Sequence, residues 1–311
     1  MPKPPPSIRW RDAWQQALYG DDGFFRRHSP ADHFRTGVNS SGLFAEAIWR
    51  LVQAEGLDTV VDVGAGRGEL LRHLHRLSGG TLSLTGVEIA DRPDDLPAGI
   101  GWADGLPDRI DGLLIANEWL DNIPCDIAEA DEAGRSRLVL VDPTSGSETL
   151  GEVCEDPWLD QWWPLTEPGD RAEIGTPRVE AWADAVSRVN GIALAIDYGH
   201  TRADRPILGS LRSYREGFEV DVVPDGTCDV TAHVAVDAVA AATRATVSRQ
   251  SERLHELGVS GARPPLELAT TDPPAYVRAL ARATASAELT ARGGWGDFWW
   301  IRTDTRTAME G

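Results

Sequence analysis

Apolar positions along this chain recur with two different periods, and the alternation between them predicts the architecture. Leu43, Phe44, Ala47, Ile48, Leu51 and Val52 fall on one face of a helix over Leu43 to Glu55, which Gly56 ends. A β-branched run from Thr59 to Val63 then reads as a strand. A helix over Glu69 to Leu77 follows, with Leu70, Leu71, Leu74 and Leu77 on one side. Strand patterns return at Leu82 to Ile89, Ile100 to Trp102, Gly112 to Ala116 and Ile192 to Asp197. Ala245 to Arg249 and Phe298 to Arg302 supply two more, with helices over Glu252 to Leu257 and Pro274 to Ala287. Strands alternating with helices predict an α/β fold: a doubly wound, mostly parallel, seven-stranded sheet with helices on both faces.

The stretch between the fourth and fifth strands is too long for one crossover. It holds a hairpin-like pair, Ile127 to Ala130 and Ser136 to Val141, then Trp158, Trp162 and Trp163 as core or packing surface. Val179 to Val189 reads as the crossover helix, and Thr201 to Asp229 forms a second insertion after the fifth strand. At the start, a loose proline-rich tail (Pro2, Pro4, Pro5, Pro6) precedes a helix over Ile8 to Tyr19 that Gly20-Asp21-Asp22-Gly23 stops. The expected organisation is an N-terminal helical segment over 1–56 and one domain over 57–311, with insertions near 124–178 and 200–236.

Composition narrows the function. The 311 residues carry a net charge of −19, and Lys3 is the only lysine. So negative a surface disfavours non-specific nucleic-acid binding, which depends on neutralising phosphates. No apolar run reaches the length of a membrane span, and Met1 to Pro6 lacks the apolar core of a secretory signal. Cys125, Cys154 and Cys228 lie far apart without Cys/His ligand spacing, so neither a metal site nor a disulfide framework is expected. Dense Ala, Arg, Gly and Asp suggest a high-GC bacterial protein of the cytoplasm.

The chemistry starts at Val60-Val61-Asp62-Val63-Gly64-Ala65-Gly66-Arg67-Gly68-Glu69-Leu70-Leu71: a strand, a glycine turn and a helix start. At such a turn an α/β sheet lets a nucleotide-like ligand touch backbone. Gly64, Gly66 and Gly68 behind Asp62 are not spaced as in a dinucleotide site. Asp-x-Gly-x-Gly-x-Gly instead resembles the first motif of the Rossmann-like S-adenosylmethionine methyltransferases. That resemblance implies a turn against the methionine end of the cofactor, with Asp62 helping to hold it. Glu88, at the end of the second strand, suits a ribose diol, with a solvated loop acid as the alternative. Asp104, after the third strand, stands where such enzymes place an acid near the adenine amino group, or is a plain turn residue before Gly105.

Asn117-Glu118-Trp119-Leu120-Asp121-Asn122-Ile123-Pro124 follows the fourth strand at the carboxyl edge of the sheet. An amide and two carboxylates there fit methyl transfer to nitrogen, which needs an oriented nucleophile relieved of charge or of a proton. Helix capping by Asn117 or Asp121 is the alternative. Asp197-Tyr198-Gly199 points to the same edge, with Tyr198 lining an acceptor pocket or buried with a satisfied hydroxyl. His233 has no second histidine at ligand spacing and reads first as structural.

Together and in order, these motifs resemble the MidA-like (DUF185) methyltransferases, whose mitochondrial member assists assembly of respiratory complex I. Ala17-Leu18-Tyr19-Gly20-Asp21-Asp22-Gly23-Phe24-Phe25 is similar to the family's ALY-x-x-x-x-GYY, and His33-Phe34-Arg35-Thr36 and Leu43-Phe44 continue the likeness. Asn117 to Pro124 is similar to NEFFDALP, Ile196-Asp197-Tyr198-Gly199 to IDYG, and Ser210-Leu211-Arg212-Ser213-Tyr214 to TLRAY. Asp229-Val230-Thr231-Ala232-His233-Val234 resembles DLTAHV, and Gly294-Trp295-Gly296-Asp297-Phe298 the closing GLGDF. Arg215-Glu216-Gly217 and Gly37 to Ser41 depart from the pattern.

The resemblance implies S-adenosyl-L-methionine as donor and a protein arginine as acceptor, with Glu118, Asp121 and Asp197 walling a guanidinium pocket. The expected function is therefore metal-independent methyl transfer by direct displacement. A SAM-binding assembly factor without catalysis, or a methyltransferase for a small molecule, are the alternatives. The expected partner is a protein substrate, and the insertions suit either lids or the contacts of a homodimer.

Overall fold

The structure, a computed structural model, describes residues 7–27 and 42–306. The proline-rich start, His33-Phe34-Arg35-Thr36 and Gly37 to Ser41 lie outside the described residues. The described residues form two compact units, one within Arg35–Asn117, Arg188–Ile196 and Thr246–Gly311, the other within Met1–Phe34, Glu118–Ser187 and Asp197–Ala245.

The first unit is built on seven strands: β1 (Thr59–Val63), β2 (Ser83–Val87), β3 (Ile100–Ala103), β4 (Ile110–Asn117), β5 (Val189–Asp197), β6 (Thr246–Arg249) and β7 (Trp299–Asp304). They lie in the order β6-β7-β5-β4-β1-β2-β3. The pairs β1/β2, β2/β3, β1/β4 and β4/β5 are parallel, and β6/β7 is antiparallel. The strand order reverses at β1, the switch point of a doubly wound sheet, where ligands bind beyond the carboxyl ends of the strands. Val60, Leu84, Leu113, Ile115, Ile192, Leu194, Ile196 and Trp300 form one buried cluster with side chains of four helices. Those helices are Leu43–Ala54, Glu69–Leu77, Gln250–Glu256 and Pro273–Leu289.

β5 begins earlier than the sequence pattern predicts, because Val189 and Asn190 pair with Ile110 and Asp111. The Asn190 amide donates to the Asp111 carboxylate at 2.7 Å, so a residue that reads as turn chemistry becomes sheet by pairing. The crossover helix accordingly ends at Ser187 rather than at Val189. Gly191 has φ +153°, and a Cβ there would stand 2.1 Å from the Gly112 carbonyl oxygen. Gly191→Val should therefore lower the free energy of unfolding in urea by about 3 kcal/mol.

The second unit holds an antiparallel sheet of five short strands. Ile8–Arg9 pairs with Ser136–Val141, which pairs with Ile127–Ala130 and with Glu148–Val153, and Ile127–Ala130 pairs with Arg171–Glu173. A separate antiparallel group joins Phe218–Val220, Arg212–Arg215 and Asp229–Thr231, and Gly199–His200 pairs in parallel with Val234–Ala235. The helix Trp10–Tyr19 buries Trp10, Ala13, Trp14, Ala17 and Leu18, the spacing of one helical face. Trp158 and Trp163 are core, packed with Leu159, Ala172, Ile174, Ala235 and Ala238. No helix among the described residues is long and apolar enough to cross a membrane.

Candidate active site

The glycine turn after β1 is fastened to β2. The Gly64 amide donates to the Val87 carbonyl at 3.0 Å, and the Gly66 amide donates to Glu88 Oε2 at 3.0 Å. Gly64, Gly66 and Gly68 have φ of +69°, +57° and +75°, a region that favours glycine. At Gly68 a Cβ would also come within 2.8 Å of Leu96 Cδ1. Glu88 Oε1 accepts the Ile89 amide at 2.7 Å, so this carboxylate pins the turn it faces. Burial pushes Glu88 above its ordinary pKa, while the amides of Gly66, Ile89 and Ala90 pull it back. Asp62, buried at the end of β1, is held well above the usual carboxylate range by burial and then by Glu69 and Glu88. Asp104 stands exposed beyond β3, while the Trp102 indole donates to the Ala90 carbonyl at 3.0 Å.

In the second unit, three separate chain segments converge on Asp121, which is 4% exposed. Its Oδ2 accepts the Tyr198 hydroxyl at 2.5 Å and the Thr231 hydroxyl at 2.6 Å, and the two hydroxyls also touch each other. Its Oδ1 is buried without a hydrogen-bond partner. Burial raises the Asp121 pKa, opposed by the Thr231 and Tyr198 hydroxyls and by Arg178. Asp197 has a different task. Its Oδ2 accepts the amides of Leu120 and Asp121 at 3.0 and 3.2 Å, and its Oδ1 accepts the Tyr198 amide at 3.0 Å. Its proton affinity is raised by burial and then by Asp121 and Glu118. Asp197 thus holds the backbone that carries Asp121, instead of presenting open oxygens.

Glu118 has φ +52°, the left-handed region that a residue with a Cβ rarely adopts, directly after Asn117 ends β4. The Asn122 amide donates to Asp229 Oδ1 at 3.0 Å and to the Val230 carbonyl at 3.2 Å. Asp229 is raised well above the carboxylate range by burial, Asp121 and Glu118. Arg178, 2% exposed, donates to the carbonyls of Asp121, Ile123, Ala232 and His233 at 2.6 to 3.2 Å. It clamps the Asp121 segment to the Thr231 segment. Arg178→Leu leaves those carbonyls bare and should cost about 3 kcal/mol of unfolding free energy or more in urea titration. Exposed His233 sets its ring 5.0 Å from the Tyr198 ring and 6.2 Å from that of His200. His200 Nδ1 accepts from Arg205 at 2.6 Å, and burial followed by Arg205 lowers its pKa to about 3, so it is neutral.

Comparison with known proteins supplies the frame. Residues 87–254 match the profile of a family described as "Putative S-adenosyl-L-methionine-dependent methyltransferase". The chain belongs to that family. Its fold is shared with a COG1565 superfamily member from Burkholderia thailandensis bound to S-adenosyl-homocysteine. That likeness has a TM-score of 0.78 at 22% identity, covering 95% of this chain and 87% of the other. A native structure of a COG1565 superfamily protein from the same organism gives a TM-score of 0.75 at 22% identity, with the same 95% and 87% coverage. No curated protein matches the sequence.

For a methyltransferase of this kind the turn has the right chemistry. The cofactor carries a sulfonium and an ammonium, and Asp62, Glu69 and Glu88 are mutually repelling carboxylates that a cationic ligand would relieve. Gly64, Gly66 and Gly68 carry no side chains of their own, and their positive φ values set the turn. Among the groups around Asp121, sequence reasoning passed over Thr231 as a functional residue, and with it Asn122, Arg178 and His200. The signals were the Asp229 to Val234 segment, which holds Thr231, and the Asn117 to Pro124 segment, which holds Asn122. Arg178 sits within Thr176–Ser187 without any local pattern that marks it as buried.

Proposed function

We propose that this methyltransferase acts on the side chain of a protein arginine. The observation that carries the reading is Asp121 Oδ1: a carboxylate oxygen, buried and without a partner, beside a second oxygen fully committed to Tyr198 and Thr231. Such an oxygen is costly unless a donor completes it. A guanidinium offers planar, permanently charged N–H groups that suit it. Glu118, Asp197 and Asp229 are the acidic groups clustered with Asp121, and the Tyr198 and His233 rings meet edge to face beside it.

S-adenosylmethionine, when bound, supplies an electrophilic methyl group. Asp62, Gly64, Gly66, Gly68 and Glu88 are the residues proposed to hold it, with Asp104 near the adenine. The rest falls to the acceptor residues. Monomethylation of an arginine releases one proton, and Asp121, whose proton affinity burial has raised, is the group proposed to orient the guanidinium and take that proton. Tyr198 fixes the carboxylate, Asp197 fixes its backbone, and Glu118 and Asn117 complete the acceptor side.

Incubating the protein with methyl-labelled S-adenosylmethionine and a protein extract tests the class of acceptor. The expected result is label in acid-precipitated protein. Label confined to the organic extract would show a small-molecule acceptor instead.

A further inference from the structure

We propose that Thr231 is a positioning residue for the acceptor: together with Tyr198 it fastens one oxygen of Asp121, so that the other is presented to the substrate's cationic N–H. This rests on the arginine reading above and names the residue that sets its geometry. Thr231 comes from a strand, Asp229–Thr231, whose partner strand pairs Arg212 opposite it. Its hydroxyl is therefore carried by sheet backbone, and a β-branched side chain has few rotamers with which to wander. The residue is 4% exposed, so the hydroxyl has no bulk water to turn to. Its donor contact to Asp121 Oδ2, at 2.6 Å, spans 110 residues of sequence, and Tyr198 reaches the same oxygen across 77.

Two hydroxyls on one oxygen settle which way the carboxylate faces. Turning the carboxylate out of its plane would strip both hydroxyls, so one oxygen stays committed to them and the other remains a buried acceptor without a partner. The same hydroxyls favour the charged form of Asp121. Arg178 also favours it, while burial disfavours it. Asp197, Asp229, Tyr198 and His233 interact with it as well, Glu118 acts on Asp197 and Asp229, and the Asn122 backbone N–H favours the charged form. Removing the Thr231 hydroxyl removes one pull toward the carboxylate, so Asp121 would hold its proton to higher pH. Binding of a permanent cation would then be lost at a higher pH than in the parent protein.

The probe is methylguanidinium, which stays charged throughout the accessible range. It is titrated calorimetrically into the full chain, saturated with S-adenosylhomocysteine, at a series of pH values. Thr231→Val should weaken binding about tenfold at neutral pH and move the acid limb upward. Thr231→Ser, which keeps the hydroxyl, should restore both. If Thr231→Val does not fold, Tyr198→Phe must move the acid limb in the same direction. Parent-like affinity and an unmoved limb in either hydroxyl-free variant overturn the positioning role alone. A parent protein that binds no methylguanidinium at any pH overturns the arginine reading, and this proposal with it.

Discussion

Replacing Glu88 with alanine is expected to weaken S-adenosylmethionine binding about 100-fold in calorimetric titration, on the scale of two charge-assisted hydrogen bonds. Two effects add. The carboxylate is the group proposed to accept the ribose hydroxyls, and it also receives the amides of Gly66 and Ile89. Without it, the turn loses its pin to the end of β2 as well as its acceptor. Thermal unfolding without ligand should also move to lower temperature, because the amides of Gly66 and Ile89 lose their acceptor, so the titration is made well below the variant's own transition. A variant that binds as tightly as the parent would remove Glu88 from the cofactor site.

Asp121→Asn should have the larger effect on turnover, about a thousandfold in kcat/KM, with S-adenosylmethionine affinity within about twofold of the parent. The amide fails in either orientation. With its NH2 toward Tyr198 and Thr231 it faces hydroxyls that had been donating to a carboxylate. With its oxygen toward them it turns an NH2 to the guanidinium, donor against donor. Neither arrangement takes up a proton at neutral pH. Steady-state kinetics on labelled methyl transfer, beside calorimetry with the cofactor, separates this loss from a failure to bind the donor.

Much of the parallel-sheet unit is legible in the sequence because its signals are local. Thr59–Val63 and Glu69–Leu77 form as their patterns predict, since a β-branched run and a leucine stripe each carry their own period. The pair Ile127–Ala130 and Ser136–Val141 is equally local. The start of β5 is not, because Asn190 becomes strand only through its neighbour Asp111. The pair Arg212–Arg215 and Phe218–Val220 was hidden for a related reason: short, exposed strands lack an apolar alternation strong enough to show.

The site divides in the same way. The glycine turn proposed to hold the cofactor is contiguous, so glycines and acids at fixed spacing mark it. Around Asp121 the partners lie far apart in sequence, and only folding reveals that Thr231 reaches it or that Asp197 holds backbone. The interleaving of the two compact units is likewise invisible in sequence, because each is assembled from three separated spans.

The most direct test of the arginine assignment is acid hydrolysis of the labelled protein fraction, followed by separation of its amino acids. The account predicts label that co-elutes with methylated arginine and is absent when Asp121→Asn replaces the parent protein. Label on lysine, histidine or a base-labile carboxyl ester would contradict it.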